Sequence, residues 1–237
     1  MTLTLRAEAI ATGYGKLEVV HDVSLTTEAG RCTCVFGPNG SGKSTLIKAI
    51  AGALPLWRGR VFLGERELTG RRSHDLVREG IVLMPQGGGV FPRLSVMDNL
   101  RMGGYAVPDR REVERRIDAV LSETPVLRER RRVPGGRLSG GEQMMLALGR
   151  ILVAAPRFVL LDEPSAGLAP AAVSTMLERI GQLKERGVGV LMVEQNIREA
   201  LRIADRVYVL VAGSERFHGA PADLGDEAEL MKLYMGG

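Results

Sequence analysis

The sequence predicts an α/β protein with a mainly parallel sheet, an N-terminal antiparallel β part and an inserted helical subdomain. Short apolar runs of strand length recur along the chain, and stretches with helical spacing of apolar residues separate most of them. Strands that alternate with helices in this way are typical of a parallel sheet. The predicted strands comprise residues 33–36, 81–84, 158–161, 188–193 and 207–211.

Size and composition favour one folded unit. The chain has 237 residues, of which 45% are hydrophobic, and it shows no internal repeat and no long linker. We therefore predict a single domain over 1–237, in which 1–87 and 138–237 form the α/β core and about 88–137 form the helical subdomain. The net charge of +4 is too small to make nucleic acid the default partner.

The predicted insertion is rich in arginine, with ten arginines and six acidic residues between positions 101 and 137. Asp109, with Glu112 three residues later, is typical of a helix start. An apolar stripe at helical spacing follows, formed by Val113, Ile117, Val120 and Leu121. The arginine-rich face is either a solvated helix face or a nucleic-acid contact. Interleaved acids and the lack of aromatic residues favour the solvated face.

Cys32 and Cys34 lie two positions apart in an apolar strand, so both thiols are expected on one face. Packing in the core is favoured over metal ligation, because His21, His74 and His218 are scattered along the sequence. Neither a signal peptide nor an apolar run long enough to cross a bilayer is evident. We expect a cytoplasmic protein, or one peripheral to a membrane on that side.

The segment that follows the predicted strand 33–36 matches the eight-residue phosphate loop at every fixed position. It comprises Gly37, Pro38, Asn39, Gly40, Ser41, Gly42, Lys43 and Ser44. The glycines let backbone N–H groups turn toward phosphates, and a helix predicted from Ser44 to about residue 51 adds its N-terminal partial charge. We expect Lys43 to contact the β- and γ-phosphates and Ser44 to bind Mg²⁺, and we count Thr45 among the nucleotide-binding residues. The pattern predicts a P-loop NTPase core; the alternative is a glycine-rich turn without a ligand.

Two carboxylates, Asp162 and Glu163, follow the predicted strand 158–161. Functional groups of parallel sheets collect at the carboxyl ends of the strands, so both are expected beside the phosphate loop. We expect Asp162 to hold Mg²⁺ through water and Glu163 to polarise a water for in-line attack on the γ-phosphate. An acidic strand end can also be a turn or a helix cap, but the phosphate loop favours the catalytic interpretation.

A second helix N-terminus is shaped for an anion. Ser139 and Glu142 stand at capping-box spacing, and Gly140 and Gly141 between them expose backbone N–H groups. One chain has only one phosphate loop for this segment to serve, so an ordinary helix cap remains the local alternative.

These motifs, in this order, resemble the ATP-binding subunits of ATP-binding cassette (ABC) transporters over nearly the whole chain. The resemblance implies an ATPase that uses ATP and Mg²⁺. It also implies that two subunits face head to tail, so that the segment Ser139, Gly140 and Gly141 serves the nucleotide of the partner.

Further site residues follow from the resemblance alone. Tyr14 matches the aromatic residue that stacks on adenine, and Gln86 matches the glutamine that contacts Mg²⁺ and the attacking water. Two positions depart from the usual pattern: Ala169 replaces an Asp of the dimer interface, and Gln195 replaces a His that contacts the γ-phosphate. Gln195 can still donate a hydrogen bond, and Glu163 is present, so we expect hydrolysis to survive.

The sequence around Ala169 and Gln195, together with the segments 84–86 and 91–96, resembles one of the two ATPases of branched-chain amino acid importers. Urea and short-amide importers use similar subunits. The resemblance implies several partners: a second ATPase subunit, either a different chain or a second copy, integral-membrane permease subunits and, indirectly, a periplasmic or extracellular substrate-binding protein. It implies a location at the cytoplasmic face of the plasma (inner) membrane.

A groove between the core and the helical subdomain is expected to receive the permease. Gln86, Phe91, Pro92 and Leu94 belong to this predicted groove, although Phe91 and Leu94 could instead be core residues of the helical part.

Two other classes of function remain open. A soluble ATPase of this fold that acts on DNA, RNA or ribosomes is disfavoured, because the coiled coils, zinc sites or second cassette of such proteins are missing from the sequence. A switch that binds ATP without turnover is disfavoured by Glu163 but kept open by Gln195 and Ala169.

Overall fold

The computed structural model describes residues 2–225 and Tyr234, and within this part of the chain it contains ten strands, eight α-helices and two 3₁₀ helices. The strands are β1 Thr4–Tyr14, β2 Leu17–Glu28, β3 Cys32–Phe36, β4 Arg58–Leu63, β5 Arg66–Glu67, β6 Ile81–Met84, β7 Phe158–Asp162, β8 Gly189–Glu194, β9 Arg206–Val211 and β10 Ser214–Gly219. The α-helices are α1 Lys43–Ile50, α2 Ser73–Arg78, α3 Val96–Gly103, α4 Arg110–Glu123, α5 Pro125–Glu129, α6 Gly140–Ala154, α7 Pro170–Glu185 and α8 Ile197–Ala200. The 3₁₀ helices are Gly135–Arg137 and Pro221–Leu224.

The first strands form a four-stranded antiparallel sheet in the order β2-β1-β4-β5. β1 and β2 form a hairpin that is paired from Thr4 opposite Glu28 to Tyr14 opposite Leu17. β4 pairs with the other edge of β1. The predicted antiparallel part is confirmed, and Tyr14 lies at the tip of its hairpin.

The second sheet has the order β10-β9-β3-β8-β7-β6. Its pairs β3·β8, β3·β9, β6·β7 and β7·β8 are parallel, and only β10 runs antiparallel to its neighbour. All five predicted strands lie in this sheet, so the α/β class is confirmed. β8 ends at Glu194, one residue beyond the predicted range, because that residue still pairs with Phe36 of β3.

Apolar side chains cover both faces of the parallel sheet. One core lies between this sheet, α1 and the antiparallel sheet, and contains Leu46, Ile47 and Leu160. The other packs the sheet against α6 and α7, and contains Cys32 and Cys34, both fully buried. Because each large apolar side chain contributes about 1.5–3 kcal/mol on burial, the central strands and the loops at their ends are firmly held.

The helices between β6 and α6 pack on α6 around a third apolar cluster. The stripe predicted within 113–121 is buried there. The carboxylate of Asp109 accepts a hydrogen bond from the Arg111 N–H at 2.8 Å, so α4 begins at Arg110. The expected partnership of Asp109 with Glu112 is wrong: the Glu112 carboxylate pairs with arginines one turn later on its own helix.

Part of the arginine-rich surface of this region forms ion pairs with nearby acidic residues. Arg101 pairs with Asp98 at 3.3 Å and with Glu114 at 3.0 Å, and both partners are half exposed. Exposed pairs of this kind contribute little stability and are typical of a solvated helix face. The geometry supports the solvated-face interpretation. In the part of the chain described, no helix combines the length and the apolar character needed to cross a membrane.

Candidate active site

The phosphate loop connects the carboxyl end of β3 to the N-terminus of α1. Gly40 and Gly42 adopt positive φ values of 78° and 99°, which side chains disfavour. Gly42 is the N-cap of α1 and supplies no side-chain cap, so the first N–H groups of the helix are available to a phosphate. The helix begins at Lys43, one residue before the predicted start.

Lys43 is almost completely buried, with 3% of its surface exposed. Its ammonium group donates hydrogen bonds to the carbonyl oxygens of Gly37 at 2.9 Å and Pro38 at 3.1 Å. Burial lowers the pKa of Lys43, and the carboxylates of Glu163 and Asp162 oppose that shift. The side chain is therefore a largely desolvated cation held inside the phosphate loop.

Asp162 and Ser44 lie in direct contact. The Ser44 hydroxyl donates to Asp162 Oδ1 at 2.6 Å, while Asp162 Oδ2 is buried without a hydrogen-bond partner among the described residues. Lys48 Nζ lies 3.6 Å from that oxygen. A hydroxyl beside a buried carboxylate with spare acceptor capacity is the kind of oxygen donor set that Mg²⁺ prefers, so the residues fit the predicted ion.

Glu163 lies next to this pair with its carboxylate between two amides. Gln86 Nε2 donates to Glu163 Oε2 at 3.0 Å, and Gln195 Nε2 donates to Glu163 Oε1 at 3.2 Å. Lys43 Nζ is 3.8 Å from Glu163 Oε1, and Gln195 also contacts Asn39 of the phosphate loop. The structure thus brings together residues that are far apart in the chain and that the sequence analysis selected separately.

Two other predicted parts of the site lie apart from this cluster. Tyr14 is 50% exposed at the hairpin tip, so its ring is available for stacking. Ser139 caps α6 through the predicted capping box: its N–H donates to Glu142 Oε2 at 2.8 Å, and its hydroxyl accepts from the Glu142 N–H. Gly140 lies against Leu168 of the loop that follows β7.

Sequence reasoning missed two charged residues of this region. Glu194, the last residue of β8, is 3% exposed, and Arg150 is half-buried in α6. Burial raises the pKa of Glu194 and lowers the pKa of Arg150. The available signal was a single charge in each apolar segment, since Arg150 is the only charged residue of 143–154 and Glu194 ends an apolar strand.

A cleft of about 340 Å³ lies between α2, β6, α3 and α6, and none of the four residues predicted for the permease groove lines it. The Arg150 guanidinium projects into this region, donates to the Gly89 carbonyl and stacks 4.7 Å from the centroid of the Phe91 ring. Its Nε is buried without a hydrogen-bond partner among the described residues. Phe91 and Leu94 are 38% and 37% exposed, so the alternative that they are core residues is wrong.

Asn99 explains why these apolar side chains face solvent. It is fully buried, accepts a hydrogen bond from the Phe91 N–H at 2.8 Å and donates to the carbonyls of Phe91, Leu94 and Ser95 at 3.0–3.1 Å. These bonds fix the backbone of the loop, which keeps the two apolar side chains at the surface.

Comparisons with known proteins identify relatives over the whole chain. A family model described as ABC transporter matches residues 20–166. BraG of Pseudomonas aeruginosa, a high-affinity branched-chain amino acid transport ATP-binding protein, is 41% identical over 98% of this chain and 100% of its own length. LivF of Archaeoglobus fulgidus, a probable branched-chain amino acid transport ATP-binding protein, is 40% identical over 98% of both chains.

A more distant relative and a solved structure extend the comparison. LptB of Escherichia coli, a lipopolysaccharide export system ATP-binding protein, is 35% identical over 98% of this chain and 97% of its own. The ADP conformation of MJ1267, an ATP-binding cassette of an ABC transporter, superposes with a TM-score of 0.87 at 28% identity over the full length of both chains.

Proposed function

Since the chain belongs to the ABC transporter family of ATP-binding proteins, we propose that it uses Glu163 as general base to energise the import of branched-chain amino acids. The chain is an ATP-binding ATPase, a subunit of a membrane transporter. The observation that carries the proposal is the Glu163 carboxylate, held by Gln86 at 3.0 Å and Gln195 at 3.2 Å and lying 3.8 Å from Lys43. A carboxylate fixed beside a phosphate loop is suited to accept a proton from a water attacking the γ-phosphate.

The residues around Glu163 divide the remaining tasks. Lys43 binds the β- and γ-phosphates, and the loop N–H groups surround them. Ser44 and Asp162, with Gln86, would hold Mg²⁺, which when bound neutralises charge on the phosphate oxygens. Gln195 orients the γ-phosphate and the Glu163 carboxylate with its amide.

The rest of the nucleotide site involves a second subunit. Ser139, Gly140 and Gly141 present the N-terminus of α6, whose N–H groups suit an anion, to the ATP held by the phosphate loop of the partner. Tyr14 stacks on the adenine of the ATP bound in its own chain. Binding of ATP closes the pair of subunits, and hydrolysis reopens it.

The relatives support the substrate. BraG and LivF, at 41% and 40% identity, carry branched-chain amino acid transport in their names, whereas the lipopolysaccharide export protein LptB is 35% identical. A urea or short-amide importer, the alternative raised by the sequence, is not favoured, because both BraG and LivF are named for branched-chain amino acid transport.

The cleft beside α6 receives a helix of the permease at the cytoplasmic face of the membrane. Phe91 and Leu94, which are exposed but lie outside the lining of the cleft, supply apolar contact area at its border. The Arg150 guanidinium has no acidic partner within ion-pair distance among the described residues. Because an unpaired, half-buried cation is costly, the docking helix is expected to carry a carboxylate that reaches Arg150. We retain about 88–137 as the extent of the helical subdomain that forms one wall of the cleft.

Trapping the assembly tests the proposal. The Glu163→Gln variant is expressed in the source cells, and the proteins that co-purify from solubilised membranes are identified by mass spectrometry. Loss of the base should hold the ATP-bound, closed pair, so we expect permease subunits and a second, different ATPase. The matched control Lys43→Met, which lacks the phosphate contact, should recover much less of both.

Two results would contradict parts of this proposal. Recovery only from the soluble fraction, with ribosomes or nucleic acid, would exclude the importer role. A strain without the chain that keeps leucine uptake but loses urea uptake would replace the branched-chain substrate with urea.

A further inference from the structure

Glu194 is a buried acid that the proposed reaction does not use. Its Oε1 accepts a hydrogen bond from the Ser165 N–H at 2.8 Å. Its Oε2 accepts from the Ser165 hydroxyl at 2.8 Å and from the Gln195 N–H at 3.2 Å. No lysine, arginine or histidine within residues 2–225 pairs with it, so the carboxylate is satisfied by hydrogen bonds alone.

The segment that Glu194 holds contains an unfavourable backbone conformation. Glu163 has a φ of 47°, in the left-handed region that a residue with a side chain rarely adopts. The Glu163 N–H donates to the carbonyl oxygen of Val193 at 3.0 Å. Residues 163 and 165, which lie on either side of Pro164, are therefore both hydrogen-bonded to β8, the first to Val193 and the second to Glu194.

We propose that Glu194 is a positioning residue that keeps the Glu163 carboxylate aimed between Gln86 and Gln195 by fastening Ser165 to the end of β8. Because the strained backbone of Glu163 relaxes unless its surroundings hold it, the fastening on the far side of Pro164 is needed to maintain the direction of the side chain. The proposal rests on the role of Glu163 as general base.

The chemistry of the Glu194 contacts favours a functional role over a role in stabilising the fold. A buried carboxylate beside the site of a triphosphate repels the substrate, and burial already raises the pKa of Glu194. A neutral side chain would avoid this cost, but only a carboxylate offers acceptors to three donors at once. The Glu194 carboxylate therefore lowers the stability of the folded protein but fixes the position of its three donors.

The test compares Glu194→Gln with Ser165→Ala in the assembled transporter. The glutamine keeps the shape of the side chain but replaces one accepting oxygen with a donor. Because a misplacement of about 1 Å can reduce a rate about 100-fold, we expect kcat to fall by about 10- to 100-fold while KM for ATP stays within about twofold. Ser165→Ala should lower kcat less, and the double variant should be no slower than Glu194→Gln.

The control is Asp205→Asn, which removes a carboxylate that also accepts a backbone N–H, from Cys32, at the opposite end of β3. It should lower the melting temperature without changing kcat. Wild-type kcat in Glu194→Gln, or additive losses in the double variant, would overturn the proposal. If Glu194→Gln fails to fold, wild-type kcat in Ser165→Ala would overturn it. If Glu163→Gln keeps the wild-type rate of hydrolysis, Glu163 is not the general base, and this inference is then wrong as well.

Discussion

The two ends of the parallel sheet use the same chemical groups in opposite ways. At the amino end, Asp205 accepts from the Cys32 N–H at 2.8 Å and pairs with Lys184 at 3.0 Å and Arg31 at 3.1 Å. At the carboxyl end, the Lys43 ammonium donates to two loop carbonyls, and its distance to the Glu163 carboxylate is 3.8 Å.

This difference separates a carboxylate whose charged partners lie within the chain from a buried cation that we propose binds phosphate. Burial raises the pKa of Asp205, but the hydrogen bonds from Cys32, Lys184 and Arg31 outweigh that effect and leave its pKa below the usual value. The pKa of Lys43 is instead lowered by burial, despite the nearby carboxylates. Phosphate oxygens would complete the environment of Lys43, whereas Asp205 already has its partners.

The two ends of the sheet are compared most strongly by replacing Lys43 and Lys184 with methionine, one at a time. Lys43→Met should weaken ATP binding by about 30-fold or more, because truncating one partner of a buried, charge-assisted contact costs about 2–5 kcal/mol. Its melting temperature should not fall, since a desolvated cation is removed. Lys184→Met should lower the melting temperature and leave ATP affinity unchanged. A fluorescent ATP analogue measures ATP affinity, and thermal unfolding measures the melting temperature. Weaker ATP binding by Lys184→Met, or a lower melting temperature in Lys43→Met, would contradict the comparison.

Asp205→Asn should lower the free energy of unfolding by about 1–3 kcal/mol, the usual cost of breaking hydrogen bonds to a charged group that is partly buried. Because the pKa of Asp205 in the folded protein lies below that of an unfolded aspartate, its contribution is complete above the unfolded pKa and is lost as the pH falls through the lower, folded pKa. Denaturant titrations at pH 7 and near pH 3 measure the difference between wild type and variant. A difference that grows at the lower pH would be inconsistent with the ion pairs described here.

Arg150→Met should weaken association with the permease by about tenfold, since a half-buried cation would lose its proposed carboxylate partner. Arg101→Met is the matched control, because Arg101 pairs with acids of its own chain at the surface. Yield of the assembly after solubilisation measures the effect. Equal yields for both variants would remove Arg150 from the docking surface.

Ala169→Asp is expected to change the free energy of unfolding only slightly and, unlike Asp205→Asn, to raise it. Ala169 is the N-cap of α7 in an extended conformation, with φ −68° and ψ 150°, and it offers no side-chain cap to the helix. An aspartate there should raise the free energy of unfolding by about 0.5–2 kcal/mol. Thermal unfolding checks the sign; a lower melting temperature would show that the N-terminus of α7 cannot accept a cap.

The sequence was sufficient for the parts of the site that depend on local pattern. The phosphate loop and the strand end at Asp162 are contiguous motifs, and the rule that functional groups collect at strand ends brought them together. Glu194 and Arg150 were missed because their importance lies in which distant backbone groups surround them. The left-handed backbone of Glu163 was also beyond prediction, since it is imposed by the neighbouring strand and not by its own residue type.

We propose that Glu163, at the carboxyl end of the sheet, catalyses hydrolysis although Gln195 stands where the family pattern has a histidine. Phosphate release by the assembled transporter at saturating ATP tests it directly. We expect repeated turnover by the wild type and a loss of about 100-fold or more in Glu163→Gln, with ATP binding retained. Equal rates in the two proteins, or a wild type that binds ATP without releasing phosphate, would contradict it.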